Sequence, residues 1–180
     1  MKIKTLEDAF VEQLKDIHDA ERRITKALPK MARTASSKRL KDAFTNHLEE
    51  TENHVDRLDQ VFEQLGKTPG RKTCEAMVGL LREGDALMAE EAPDEVMDAA
   101  LIAAAQKVEH YEMATYGTLR DWAQQLGHDD AAKLLQNTLD EEGQADKTLT
   151  GIAEQINLQA VEPRESETMT SSNRSNARRR

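Results

Sequence analysis

The 180-residue chain is poor in several things that most folds need, and each shortage excludes something. Aromatic residues make up 3% of it, and β-branched runs are scarce, so it lacks the material for a large sheet. One cysteine, Cys74, cannot close an internal disulfide, which fits a reducing compartment. No apolar run is long enough to span a membrane, and Met1–Lys15 has no signal-peptide core. Positive charge is in deficit as well. The net charge of −9 is the wrong sign for a core that binds nucleic acid, which would present a basic face. The expectation is a cytoplasmic protein with no membrane attachment.

What is abundant is Ala, Leu, Glu, Lys, Gln and Arg, the strong helix formers. The chain is long enough for one domain with a substantial core. Ser36–Ser37, the Gly66/Pro69/Gly70 cluster, Pro93 and Gly127–Asp129 divide the helical pattern. Ser37 is a candidate cap. The spacing predicts helices over 5–34, 37–65, 94–126 and 129–158, with Pro29 kinking the last turn of the first. A short extra helix, about Cys74–Glu90, lies in the long link between the second and third. Short turns make antiparallel hairpins, and two hairpins joined by a long crossover are the ferritin-like form of the four-helix bundle. The fold class is therefore all-α, with the bundle over 1–160. The polar tail over 161–180 ends in three arginines, buries nothing, and is expected to be disordered.

Acidic residues interrupt the apolar stripes. Helix one reads Leu6, Phe10, Leu14, Ile17, Glu21, Ile24, Leu28, Met31, so Glu21 holds an Ile or Leu position. The third helix places Glu112 in the same way, with Glu109 one turn away on its flank. The fourth places Glu142, with Asp146 at the edge of the stripe. The second reads Leu40, Phe44, Leu48, Thr51, Val55, Leu58, Phe62, Leu65. His47 and His54 fall on this face, and Glu50 lies at its border. Glu49 and Glu52 point away. His18 and His110 lie off the stripes and read as surface residues. Tyr111, Tyr116 and Trp122 read as packing aromatics.

Depth connects these positions. Glu21 and Glu50 flank the first turn, and Glu112 and Glu142 the second, each at about fifteen residues, or about 22 Å of helix. Equal distance from a hairpin turn means equal height, so one acid per helix converges on one layer. Buried carboxylates repel one another and resist desolvation; two cations remove both costs. Carboxylates with imidazole suit iron or manganese. The candidate ligands are Glu21, Glu50, His54, Glu109, Glu112, Glu142 and Asp146.

His18-Asp19-Ala20-Glu21, Lys26-Ala27-Leu28-Pro29-Lys30-Met31 and His47-Leu48-Glu49-Glu50-Thr51 resemble the first half of the YciF/YciE-like family of ferritin-like stress proteins. Val108-Glu109-His110-Tyr111-Glu112, Tyr116-Gly117-Thr118-Leu119 and Leu139-Asp140-Glu141-Glu142 resemble the second half. The likeness covers about Lys4 to Ile156. It implies a bacterial cytoplasmic homodimer tied to stress, with a rubrerythrin-like dimetal centre on Glu21, Glu50, Glu109, Glu112 and Glu142. One departure stands out: rubrerythrin uses Glu-x-x-His, whereas this chain has Glu50-x-x-x-His54 and no histidine after Glu142. Three functions follow as expectations. One is a dimetal oxidoreductase that oxidises iron or consumes peroxide or oxygen. The others are a metal-sequestering subunit and a non-catalytic helical stress protein.

Overall fold

The computed structural model describes residues 3–161. These form five helices and no strand: α1 (Leu6–Thr34), α2 (Lys38–Gln64), α3 (Glu75–Leu87), α4 (Asp94–Gln125) and α5 (Asp129–Val161). The expected elements are all present, with no end shifted by more than three residues. The expected disordered tail lies, beyond Val161, outside the described residues.

Local chemistry sets the boundaries. Thr5 and Asp8 form a reciprocal capping box at the start of α1. Helix α1 continues through Pro29 to Thr34. Gly66 and Gly127 end α2 and α4 with positive φ angles of 60° and 78°, which glycine adopts without a Cβ penalty.

Ser37 is the N-cap of α2, but its side chain makes no cap bond. Asp98 of α4 does the work instead. Its carboxylate accepts from Ser36 N (2.7 Å), Ser36 Oγ (2.7 Å) and Ser37 N (2.8 Å). A charged acceptor from another helix satisfies these amides better than a serine hydroxyl can. The bonds also pin the start of α4 to the α1–α2 turn. At the other end, His128 in the α4–α5 turn meets Glu7 at 3.1 Å and stacks on Phe10.

These two anchors fix the topology. Helix α1 runs up, α2 down, α4 down and α5 up. Helices α1 and α2 pack as one hairpin and α4 and α5 as the other, with α2 against α5 and α1 against α4. Every adjacent pair is antiparallel. Helix α3 lies outside the bundle against α1 and α4, carrying the chain back along its length. The core is apolar and mostly aliphatic, from Phe10, Leu14, Ile17, Ile24, Leu40, Leu58, Leu101, Leu119, Leu135, Leu149 and their neighbours.

Candidate metal centre

Midway along the bundle the aliphatic core gives way to acids and imidazoles. Ile17 and Ile24 lie one turn to either side of Glu21 on α1. Leu135 and Leu149 lie two turns to either side of Glu142 on α5, and Ala105 and Leu119 do the same for Glu112 on α4; all six are buried. The heptad spacing that makes those positions core also turns the acids inward. Glu21, Glu112 and Glu142 have no exposed surface, and Glu109 retains 3%.

Helix α2 contributes two histidines. Its buried positions run Leu40, Phe44, His47, Thr51, His54, Leu58, Val61, Phe62. From Leu40 to Val61 the steps of three and four are unbroken. This corrects the sequence stripe through Leu48 and Val55, which are only half-buried. The helix is rotated so that His47 and His54, rather than those apolar neighbours, face the layer. Glu50 is carried outward by the same rotation. It is 47% exposed and faces His47 Nδ1 at 3.2 Å.

The two oxygens of Glu142 each address a different histidine. Oε1 lies 2.9 Å from His54 Nδ1, and Oε2 lies 3.6 Å from His47 Nε2. Two groups of possible ligands meet at this residue: Glu21, His54 and Glu142, and His47, Glu109, Glu112 and Glu142. Within each group the ligand atoms lie within 4.8 Å of one another. His54 Nδ1 is 3.6 Å from Glu21, and His47 Nε2 is 3.4 Å from Glu109.

The supports lie just outside. Tyr116, fully buried, donates its hydroxyl to Glu21. His54 Nε2 meets Glu141 at 2.8 Å, and Arg57 holds Glu141 with two bonds of 2.5 and 2.8 Å. Arg57 also reaches Thr138 at 3.2 Å.

Many atoms of the layer face one another without a well-formed hydrogen bond. Glu21 Oε2, Glu109 Oε2, both oxygens of Glu112, both of Glu142, His47 Nε2 and His54 Nδ1 are buried without a hydrogen bond. Such atoms cost roughly 1–3 kcal/mol each, more when charged. Their chemistry fits a hard cation with imidazole ligands, of the iron or manganese kind. The protonation states express the same strain. Burial raises Glu21 to about 7, against the pull of His54 and with the push of Glu142. Burial and the neighbouring carboxylates hold Glu109 and Glu112 well above the ordinary range. Glu142 is also desolvated, yet the two histidines outweigh that and lower it. Burial opposes charge on His47, but Glu50 and Glu109 lift it to about 10.

Of the residues the sequence nominated, Glu21, His54, Glu109, Glu112 and Glu142 come together in one layer. Glu50 and Asp146 do not. Asp146 faces Gln106 at 3.0 Å and His110 at 3.3 Å on the outer flank of the bundle. Glu50 and His54, four apart, share a face of α2, but Glu50 lies at the edge of that face and meets solvent while His54 points inward. His47 takes the place expected of Glu50. The unbroken spacing from Leu40 to Leu58 was the signal for it. Tyr116 is more than a packing aromatic, because its hydroxyl orients a site carboxylate. Glu141 gave no sequence signal, since its role depends on Arg57 reaching across from α2. His18 was expected at the surface but is buried, 3.0 Å from Asp59 and edge-on to Phe62.

A family described as "Domain of unknown function (DUF892)" matches residues 5–162. The chain belongs to that family. It is 49% identical over 154 residues to the protein YciF of Escherichia coli K12, covering 85% of this chain and 93% of YciF. The crystal structure of that E. coli stress protein superimposes with a TM-score of 0.85 at 48% identity, covering 87% of this chain and 99% of the other. YcfI from Rhodopseudomonas palustris superimposes with a TM-score of 0.81 at 48% identity, covering 83% and 95%. A two-domain protein of Anabaena variabilis with DJ-1/ThiJ/PfpI-like and ferritin-like domains matches at 16% identity with a TM-score of 0.60, covering 93% of this chain and 42% of that one. That last likeness speaks to the fold alone. The bundle is ferritin-like, and its buried His/Glu cluster is compatible with metal binding. Among the described residues no helix is long and apolar enough to cross a membrane.

Proposed function

We propose that the His/Glu layer holds two metal ions, iron or manganese, bridged by Glu142, and that the protein uses them in a stress setting to oxidise iron or consume peroxide or oxygen. The observation that carries this reading is the sharing of Glu142 between the two ligand groups, with one oxygen facing each histidine. Two divalent ions bring four positive charges, which balance Glu21, Glu109, Glu112 and Glu142. Iron or manganese in such a site supplies one-electron redox chemistry.

The chain's own residues have distinct parts in this reading. Tyr116 orients Glu21. Glu141, clamped by Arg57, accepts from His54 Nε2 and leaves Nδ1 free to face inward, as outer-shell partners of ligating histidines do. Aliphatic layers above and below keep bulk water out. A cavity of about 130 Å³ between α2 and α5, lined by Phe44, His47, Glu50, Glu109, Ala145 and Leu149 among others, reaches the layer from outside. That volume suits a small oxidant or a hydrated ion, since a water molecule occupies roughly 30 Å³ of liquid. Glu50, at the rim, is placed to pass cations inward. A homodimer in a reducing, cytoplasmic setting belongs to the same reading, and light scattering of the purified protein tests the dimer.

The deciding experiment is metal analysis of protein purified without chelators, with anaerobic iron(II) titration. Two ions per chain, lost in Glu112→Ala/Glu142→Ala, support the centre; unchanged stoichiometry in that variant overturns the assignment. Peroxide-dependent turnover of the loaded protein then separates catalysis from sequestration.

A further inference from the structure

A second feature stands apart from the metal layer. Helix α1, the segment over 66–73 and helix α3 enclose a groove of about 710 Å³ on the outside of the bundle. Eight of the chain's 25 Lys and Arg residues line it, against two aspartates. The rest of the surface therefore carries the acidic excess almost alone. A random scatter of cations on a chain of net charge −9 does not gather so many at one place.

The two aspartates are already engaged. Asp19 accepts from Arg23 Nε at 2.6 Å and from Cys74 N at 2.8 Å, and Asp85 accepts from Lys30 at 2.7 Å. Arg22, Lys26, Arg71 and Arg82 have no carboxylate within ion-pair distance among the described residues. They come from three separate segments of chain, so the fold rather than local sequence brings them together. Asp19 ties the segment before α3 to α1 through Cys74 N, and Lys30–Asp85 ties α3 itself to α1. These links hold the walls in place.

We propose that this groove binds a small, multiply charged phosphate compound. Three of the four unpaired cations are arginines, whose planar forks match phosphate oxygens two bonds at a time. The volume falls within the usual range for small-ligand sites. No Phe, Tyr or Trp lines the groove, and its one imidazole, His18, is buried edge-on against Phe62 and held by Asp59, so it offers no open platform for stacking a base. The acidic remainder of the surface repels an extended polyanion but not a compact one that fits between the walls. The recognised chemistry is thus the phosphate chain itself, whether free or borne by a nucleoside.

The test is calorimetric titration of the full-length protein with inorganic tripolyphosphate at 0.15 M salt, with ATP and a short DNA duplex as comparisons. One saturable site per chain is expected, with ATP and tripolyphosphate binding within a few-fold of each other. Arg22→Ala/Arg82→Ala is expected to weaken binding at least tenfold, because it removes two charge-assisted donors. Arg22→Lys/Arg82→Lys, which keeps the charge but not the fork, should fall between the parent and the alanine variant. Metal content and the thermal midpoint are expected to stay as in the parent, which separates this site from the metal layer. Absence of saturable binding overturns the proposal, and so does equal binding by the alanine variant. Tighter binding of the duplex than of tripolyphosphate overturns it in favour of a nucleic-acid surface.

Discussion

Glu141 meets His54 Nε2 at 2.8 Å from outside the bundle core, while the other nitrogen of the same ring faces Glu142 at 2.9 Å. One imidazole thus joins two successive residues of α5 that point in different directions. Arg57 keeps Glu141 ionised, lowering it below the ordinary carboxylate range with help from His54.

This relationship has a measurable consequence. Glu141→Gln weakens the hold on the His54 ring without removing a ligand. Metal affinity should fall by about 10- to 100-fold, the usual effect of losing an outer-shell partner. Competition with a chromophoric chelator measures it. Unchanged affinity would show that the ring is oriented by packing alone.

Asp146 separates the placement seen in the structure from the one suggested by spacing. Asp146→Asn should leave the number of bound ions unchanged, because Asp146 faces Gln106 and His110 outside the layer. Elemental analysis of the purified variant decides this. Loss of an ion would return Asp146 to the ligand set.

Glu112 carries a cost in the metal-free protein, since both its oxygens are buried and unpartnered. Glu112→Leu replaces it with a side chain of similar reach that needs no partner. Denaturant unfolding of the chelated protein should show a gain of roughly 1–3 kcal/mol. Metal binding should be impaired at the same time, trading function for stability.

The same layer makes the metal-free protein sensitive to pH. Glu21 is raised from 4.5 to about 7, so the folded state holds a proton that the unfolded state releases. Its contribution is complete below 4.5 and is lost as pH rises through about 7. His47, raised from 6.5 to about 10, contributes fully below 6.5 and loses that contribution as pH rises through about 10. Both act in the same direction. The thermal midpoint of chelated protein should fall steadily from about pH 5 to pH 9. Manganese should flatten this decline, because bound ions replace the protons. A midpoint of the chelated protein that rises over this range would contradict the protonation states.

Asp98 anchors the two hairpins through three bonds to Ser36 and Ser37, and it is 2% exposed. Asp98→Ala leaves two amides without their acceptor. Urea unfolding should register a loss of about 2–4 kcal/mol. A loss under about 0.5 kcal/mol, the range of ordinary surface changes, would mean that water replaces the carboxylate.

The sequence by itself determined the class, the helices and the depth of the layer. Helix formers with few breakers leave few alternatives to a bundle, and hairpin geometry converts distance from a turn into height. Glu21, Glu112 and Glu142 were legible because each interrupts a stripe whose other members are apolar. Tertiary structure decided what helical angle alone leaves open. Helix α2 carries apolar residues on both sides of its histidines, so hydrophobicity did not fix its rotation; packing between α1 and α5 did, bringing His47 inward and sending Glu50 to the rim. Contacts between residues far apart in the chain, such as Tyr116 with Glu21, Arg57 with Glu141 and Asp98 with Ser36, have no periodic signature. They arise only when separate parts of the chain bring polar groups within about 3 Å of each other, the distance at which a hydrogen bond forms.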